Sequence, residues 1–216
     1  MRKTITSITC LAILSGIFIG NTALGQVVNG GFETTGATTT GAAGWSDFSA
    51  PAGGGSTASA TRSTTDPFAG VAELTLAYAN SATPGIGPSV IGQSDIFGGM
   101  SPGALTLQFE AKRVLAGNEN DQVQVQWFDA SNAFLGATGF SSYNGTLTAA
   151  YSLQTKNYVA PANTAKALVQ FLTAGSAVAN DAATVRIDDV TIVPEPSSIA
   201  LVGLGLLGLV AIRRKR

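Results

Sequence analysis

Five stretches of the chain read as β-strands, and two of them alternate apolar and polar residues with a period of two. Leu105-Thr106-Leu107-Gln108-Phe109-Glu110-Ala111-Lys112 does so over eight residues, and Gln122-Val123-Gln124-Val125-Gln126-Trp127 is cleaner still. Val71–Leu76, Ala167–Leu172 and Ala183–Ile192 are further strand candidates. Such alternation places successive side chains on opposite faces of a β-strand. Between the two termini no long segment carries the 3.6-residue apolar stripe of an amphipathic helix. Turn-forming clusters separate the strands: Ser101-Pro102-Gly103, Ala116-Gly117-Asn118, Tyr143-Asn144-Gly145 and Ala160-Pro161-Ala162-Asn163. Short strands between turns of this kind predict an all-β fold, an antiparallel β-sandwich of the jelly-roll type. Residues 34–66 are richer in Gly, Ala, Ser and Thr, and Gly53-Gly54-Gly55-Ser56 reads as a flexible loop.

Alternation also assigns faces. Val123, Val125 and Trp127 share one side and are expected in the core, as are Leu105, Leu107, Phe109 and Ala111. Gln122, Gln124, Gln126 and Phe128 share the other side of their strand. A face of amides and one aromatic suits a sugar, through hydrogen bonds and stacking; it equally suits the wet side of an ordinary antiparallel sheet. Trp45, after Gly44, reads as a core plug, and Tyr143, Tyr151 and Tyr158 are candidate ligand contacts. Asn118-Glu119-Asn120-Asp121 is acidic but lacks EF-hand order, and reads as a hairpin loop.

The two ends differ from the body. Met1-Arg2-Lys3, an apolar run from Ile5 to Gly20 and Ala23-Leu24-Gly25 before Gln26 have the order of a secretory signal peptide over residues 1–25. Ser197 to Ile212 is a 16-residue run without charge, followed by Arg213-Arg214-Lys215-Arg216. As a transmembrane helix, 197–212 would be a short span, with the basic residues stopping transfer on the cytoplasmic side. Both ends then place the intervening body outside. Gly203-Leu204-Gly205-Leu206-Leu207-Gly208 matches a dinucleotide fingerprint by letter only, since no strand precedes it and no acidic partner follows.

Composition sharpens this division. The 216 residues include no histidine and one cysteine, Cys10, inside the signal peptide. This excludes Ser-His-Asp and Cys-His catalysis, imidazole metal sites and a disulfide framework. The formal net charge is −1, yet residues 26–193 hold six cations and twelve acids. An acidic body argues against nucleic acid as a partner.

Val193-Pro194-Glu195-Pro196, an apolar run and an arginine-rich terminus resemble, in that order, the PEP-CTERM sorting signal, over residues 194–216. The resemblance implies that Pro194, Glu195 and Pro196 are read by an exosortase after export through Sec-type machinery. It implies an inner-membrane intermediate anchored by the C-terminal helix, then delivery to the cell surface or an extracellular polysaccharide matrix. Within the 26–193 domain, Val28-Asn29-Gly30-Gly31-Phe32-Glu33, Gly44-Trp45 and Ile187-Asp188-Asp189-Val190 resemble the galactose-binding-like jelly rolls, which include carbohydrate-binding modules. That resemblance implies one structural calcium, with Glu33 and Asp188 as ligands; two exposed acids are the alternative. Asp189 is expected on the face opposite Asp188.

A catalytic assignment finds no support. A glycosidase needs two carboxyls facing one bond, and the adjacent Asp188 and Asp189 cannot supply them. Gly-x-Ser-x-Gly and Ser-x-x-Lys are absent. The sequence therefore predicts a non-enzymatic exported protein with no catalytic cofactor, whose body is either a glycan-binding jelly roll or a structural matrix or surface-layer component.

Overall fold

The structure, a computed structural model, describes residues 27–194. These residues form twelve strands: β1 (Trp45–Asp47), β2 (Thr57–Ser63), β3 (Glu73–Ala79), β4 (Ser89–Ser94), β5 (Phe97–Gly98), β6 (Gly103–Leu115), β7 (Glu119–Phe128), β8 (Phe134–Ala137), β9 (Ser141–Ser142), β10 (Ser152–Ala160), β11 (Lys166–Gly175) and β12 (Ala182–Pro194). One sheet has the order β1-β4-β11-β7-β8, with β5 beside β11 and β9 beside β7; the other has the order β10-β6-β12-β3-β2. Every pairing is antiparallel. The expected all-β antiparallel sandwich is the fold observed. The signal peptide at 1–25, the span at 197–212 and the basic residues 213–216 lie outside the described residues. Among the described residues no helix is long and apolar enough to cross a membrane.

The inward residues of the alternating strands meet between the sheets. Leu105, Leu107, Phe109 and Ala111 from β6 face Val123, Val125 and Trp127 from β7, with Val169 and Phe171 from β11, and all are buried. Phe171 is the centre of an aromatic cluster. Its ring lies 4.9 Å from Phe109, 6.0 Å from Trp45 and 6.5 Å from Tyr143 between centroids. Trp45 is fully buried, as expected of a core plug, and its indole N–H donates to the carbonyls of Val28 (3.0 Å) and Asn29 (3.2 Å). This ties the start of the domain to its core.

β12 lies at the middle of its sheet. It pairs with β6 over residues 184–194 and with β3 over residues 182–187. The register shifts between Asp188 and Thr191, where Asp189 has φ +49°. This bulge changes an expectation. Simple alternation would put Asp188 and Asp189 on opposite faces with only one enclosed from the core side. Instead Asp188 faces outward and is buried there beneath the 66–71 loop, while Asp189 is the exposed extra residue.

Three further expectations shift. The segment 118–121 is not a hairpin loop, because Glu119, Asn120 and Asp121 pair with Gly175, Ala174 and Thr173 as the start of β7. Val71 and Ala72 precede β3, and Val71 is exposed with its amide bound to Glu33. Tyr143 is a core residue rather than a surface contact, 2% exposed and edge-on to Phe109.

Candidate functional site

The outward face of the larger sheet brings five glutamines together. Register pairs Gln170 of β11 with Gln93 of β4 on one side and with Gln124 of β7 on the other. The Gln124 side-chain amide donates to Gln170 Oε1, and Gln170 Nε2 donates to Gln93 Oε1 at 3.1 Å. The three amides thus form a relay across three strands, with an N–H group at the Gln93 end and a carbonyl at the Gln124 end. Gln122 and Gln126 stand two residues to either side of Gln124, opposite Leu172 and Leu168. Ile91 pairs with Leu172 in the next strand, so the row of amides is bordered by aliphatic side chains. Gln124 is itself 9% exposed, so the accessible amides are those of Gln93, Gln122, Gln126 and Gln170, which offer donors and acceptors beside apolar area, the two contacts a sugar ring uses.

Gln122, Gln124 and Gln126 therefore share this face, as alternation requires. Phe128 shares it too but is covered: its ring packs edge-on against Phe134 at 5.8 Å and is 9% exposed. Phe134, 61% exposed, is the accessible aromatic beside it. Gln93, Gln170 and Phe134 escaped the sequence reading. Gln93 lies in Ser-Val-Ile-Gly-Gln-Ser, where a glycine stands at the inward position and hides the alternation.

A groove of about 440 Å³ runs along the side of the sandwich, lined by Trp127, Leu135, Thr138, Asn157, Tyr158 and Pro161 among others. It separates edge strands β8 and β10. Tyr151 lies elsewhere, with Lys112 Nζ 4.2 Å over its ring and its hydroxyl donating to the Asp66 carbonyl.

Glu33 and Asp188 converge at the β12 bulge, both grasping the 66–71 loop. Asp188 Oδ2 accepts the amides of Phe68 (2.9 Å) and Ala69 (3.1 Å), and Oδ1 accepts that of Asp189 at 2.7 Å. The Glu33 carboxylate accepts the Val71 amide at 2.9 and 3.0 Å. Gly70 is required beside it, since a Cβ there would lie 2.0 Å from Glu33 Oε1 and φ is +62°. Burial pushes the Asp188 carboxyl up to about 6; the three amides oppose this and the Glu33 charge adds to it. Among the described residues no ion pair reaches either acid. These two acids, the exposed Glu33 and the wholly buried Asp188, are thus balanced by backbone amides and not by a cation among the described residues. Among the described residues no third histidine, cysteine or acid joins them as a potential metal ligand. Further ligands would have to be carbonyls or water.

A second buried charge cluster lies at the other end of the sandwich. Asp121 Oδ1 accepts the Thr173 hydroxyl at 2.8 Å, and Arg113 lies 2.8 Å from Glu119 Oε1 and 3.5 Å from Asp121 Oδ2. With an arginine between the acids and no open cleft, this arrangement is structural.

Residues 193–216 match the model of the PEP-CTERM protein-sorting motif. Comparison of the sequence with curated proteins finds no match. Among solved structures the chain is similar to the enzymatically active domain of tailspike protein 4 from bacteriophage CBA120, with 13% identity, 78% of this chain and 21% of that chain covered, and a TM-score of 0.53. It is also similar to a carbohydrate-binding module of the β-sandwich superfamily described as promiscuous in specificity (10% identity, 69% and 57% covered, TM-score 0.48). A module solved with β-1,4-galactotriose follows (12%, 79% and 99%, TM-score 0.47). The chain spans about a fifth of the tailspike chain and just over half of the first module's chain. Likeness at these identities concerns the fold alone. The chain carries a PEP-CTERM protein-sorting motif at the C-terminal end of an antiparallel β-sandwich whose structural neighbours include carbohydrate-binding modules.

Proposed function

We propose that this chain is an exported protein, processed at its C-terminal motif by an exosortase and delivered to the cell surface or its polysaccharide matrix, where the body binds glycan without cleaving it. The observation that carries the binding role is the Gln93–Gln170–Gln124 relay, three amides held in register and flanked by Gln122 and Gln126. A preset row of donors and acceptors binds hydroxyls at little ordering cost. Non-catalytic binding is supported by the absence of histidine and by the engagement of the buried acids, Asp188 with loop amides and Glu119 and Asp121 with Arg113.

Binding is tested on immobilised polysaccharides with the Gln124→Ala and Gln170→Ala variants. Each is expected to weaken retention about tenfold, the cost of a lost hydrogen-bonding pair. Unchanged retention in both variants would refute this face as the site. No retention of the parent protein on any polysaccharide would favour the structural matrix component. Product release from the same polysaccharides would refute the non-catalytic assignment.

One structural calcium belongs to the same proposal, held by Glu33 and Asp188. The ion supplies positive charge between two acids and fixes the 66–71 loop to the last strand. The melting temperature is then expected to fall by several degrees on chelation and to recover with added calcium; a melting temperature indifferent to both would refute it.

A further inference from the structure

The sorting motif overlaps the folded domain. Its match begins at residue 193, and Val193 and Pro194 are still paired with Thr106 and Leu105 as the last rungs of β12. Only Glu195 and Pro196 stand between this strand and the uncharged run that starts at Ser197. Three residue steps reach at most about 11 Å. The headgroup layer on one side of a bilayer takes about 5–8 Å of that. The run itself would have no length to lend, because 16 residues spanning as a helix would cover about 24 Å against a hydrocarbon core of about 30 Å.

From this we infer that the precursor rests on the lipid surface by one defined end of its sandwich. Resting on the sorting-signal assignment, the inference adds which surface meets the membrane. That end is fixed by the register. Pro194 lies beside Leu105 near the start of β6, and Gly103 lies beside Ala160 at the end of β10. The 161–165 turn then leads into β11, whose first residue, Lys166, pairs with Phe128 and Gly98. Phe128 in turn pairs with Phe134.

The chemistry of this end suits a lipid surface. Ile96, Phe134, Val159 and Val193 are exposed there, at 41%, 61%, 75% and 41%. Of the body's twelve acids, the connections 95–96, 99–102, 129–133 and 161–165 contain two, Asp95 and Asp129, while Glu33, Asp66, Asp188 and Asp189 lie around the 66–71 loop beside the last part of β12. The Asp129 carboxylate is occupied by the Ser131 and Ala133 amides, with Lys166 close by. The opposite end also exposes apolar side chains, among them Ile86 and Val178; its acids Glu119, Asp121 and Asp181 are buried or hydrogen-bonded within the fold. The connections around the tether thus present exposed apolar side chains toward the membrane.

The body's lack of cysteine allows a direct test. In a Cys10→Ser full-length chain, single cysteines are placed at Val159→Cys and Phe134→Cys, and at Ile86→Cys and Val178→Cys as far-end controls. Labelling by a membrane-impermeant maleimide is followed on spheroplasts of a host lacking exosortase, before and after detergent. The near-end cysteines are expected to react at least fivefold more slowly on the membrane than in detergent, and the far-end cysteines at equal rates. Twelve Gly/Ser residues inserted between Val193 and Pro194 should abolish the difference. Equal near-end and far-end rates on the membrane without the insertion would overturn the inference while leaving the sorting assignment standing. Protection seen only in cells that contain exosortase would replace the lipid with a protein partner and overturn it likewise. A precursor that fractionates away from membranes would overturn the sorting assignment itself.

Discussion

Asp121→Asn isolates the cost of a buried charge. Asp121 projects from β7 into the sandwich and is wholly buried. Burial pushes its carboxyl up to about 6 from 3.8; the Thr173 hydroxyl opposes this, the Glu119 charge adds to it and Arg113 opposes it. A group whose folded pKa exceeds its unfolded value stabilises the fold fully below the unfolded value. That stability is lost as pH rises through the folded one. A rise of about two units corresponds to roughly 3 kcal/mol, lost between about pH 4 and pH 7. Asparagine keeps an acceptor for Thr173 and cannot ionise. The stability of the variant relative to the parent should therefore rise by roughly 3 kcal/mol over that interval. Urea unfolding of residues 26–194, read by the fluorescence of buried Trp45 and Trp127 at half-unit pH steps, measures it. Comparison with the parent cancels the other acids, including Asp188, whose shift has the same sign. A difference that is flat across pH 4–7, or that falls, would refute the reasoning.

Two further outcomes follow from packing and backbone. Phe171→Ala removes the ring around which Trp45, Phe109 and Tyr143 are arranged and should cost about 3–5 kcal/mol in the same unfolding experiment. Asp189 holds φ +49° at the β12 bulge, so Asp189→Gly should be neutral or slightly stabilising, whereas Asp189→Val should cost about 1–2 kcal/mol; equal melting temperatures for the two would show that the bulge relaxes.

The sandwich was legible where side chains alternate strictly. Strands β6 and β7, and β12 as far as Ile187, bury their apolar residues in alternation, so those faces follow from the letters. β2 was invisible because Thr-Ala-Ser-Ala-Thr-Arg-Ser offers the core only Ala60 and lies at a sheet edge. β10, also an edge, turns Gln154 inward, where Thr146 and Ser152 satisfy its amide and apolar residues are not needed. In β4 the inward position is Gly92, because a Cβ there would lie 2.8 Å from Leu74 Cδ2. The candidate sugar face was legible by half for the same reason. Gln122, Gln124 and Gln126 belong to one strand, while Gln93 and Gln170 join them only through a register that single-strand periodicity does not contain. The Glu33–Asp188 pair came from a resemblance; its setting beneath the 66–71 loop depends on a bulge that simple alternation does not foresee.

The central position of β12 also sets a timetable. The strand that joins β6 to β3 is the last of the domain to be synthesised, and the sheet has no adjacency between those two without it. While the ribosome still holds residues 182–194, the half-made sheet is two separate ribbons, β10 with β6 and β3 with β2, neither of which is stable alone. That sheet is therefore completed only when its last strand is available. The strand that completes this sheet thus arrives last, running directly into the sorting motif that begins at residue 193.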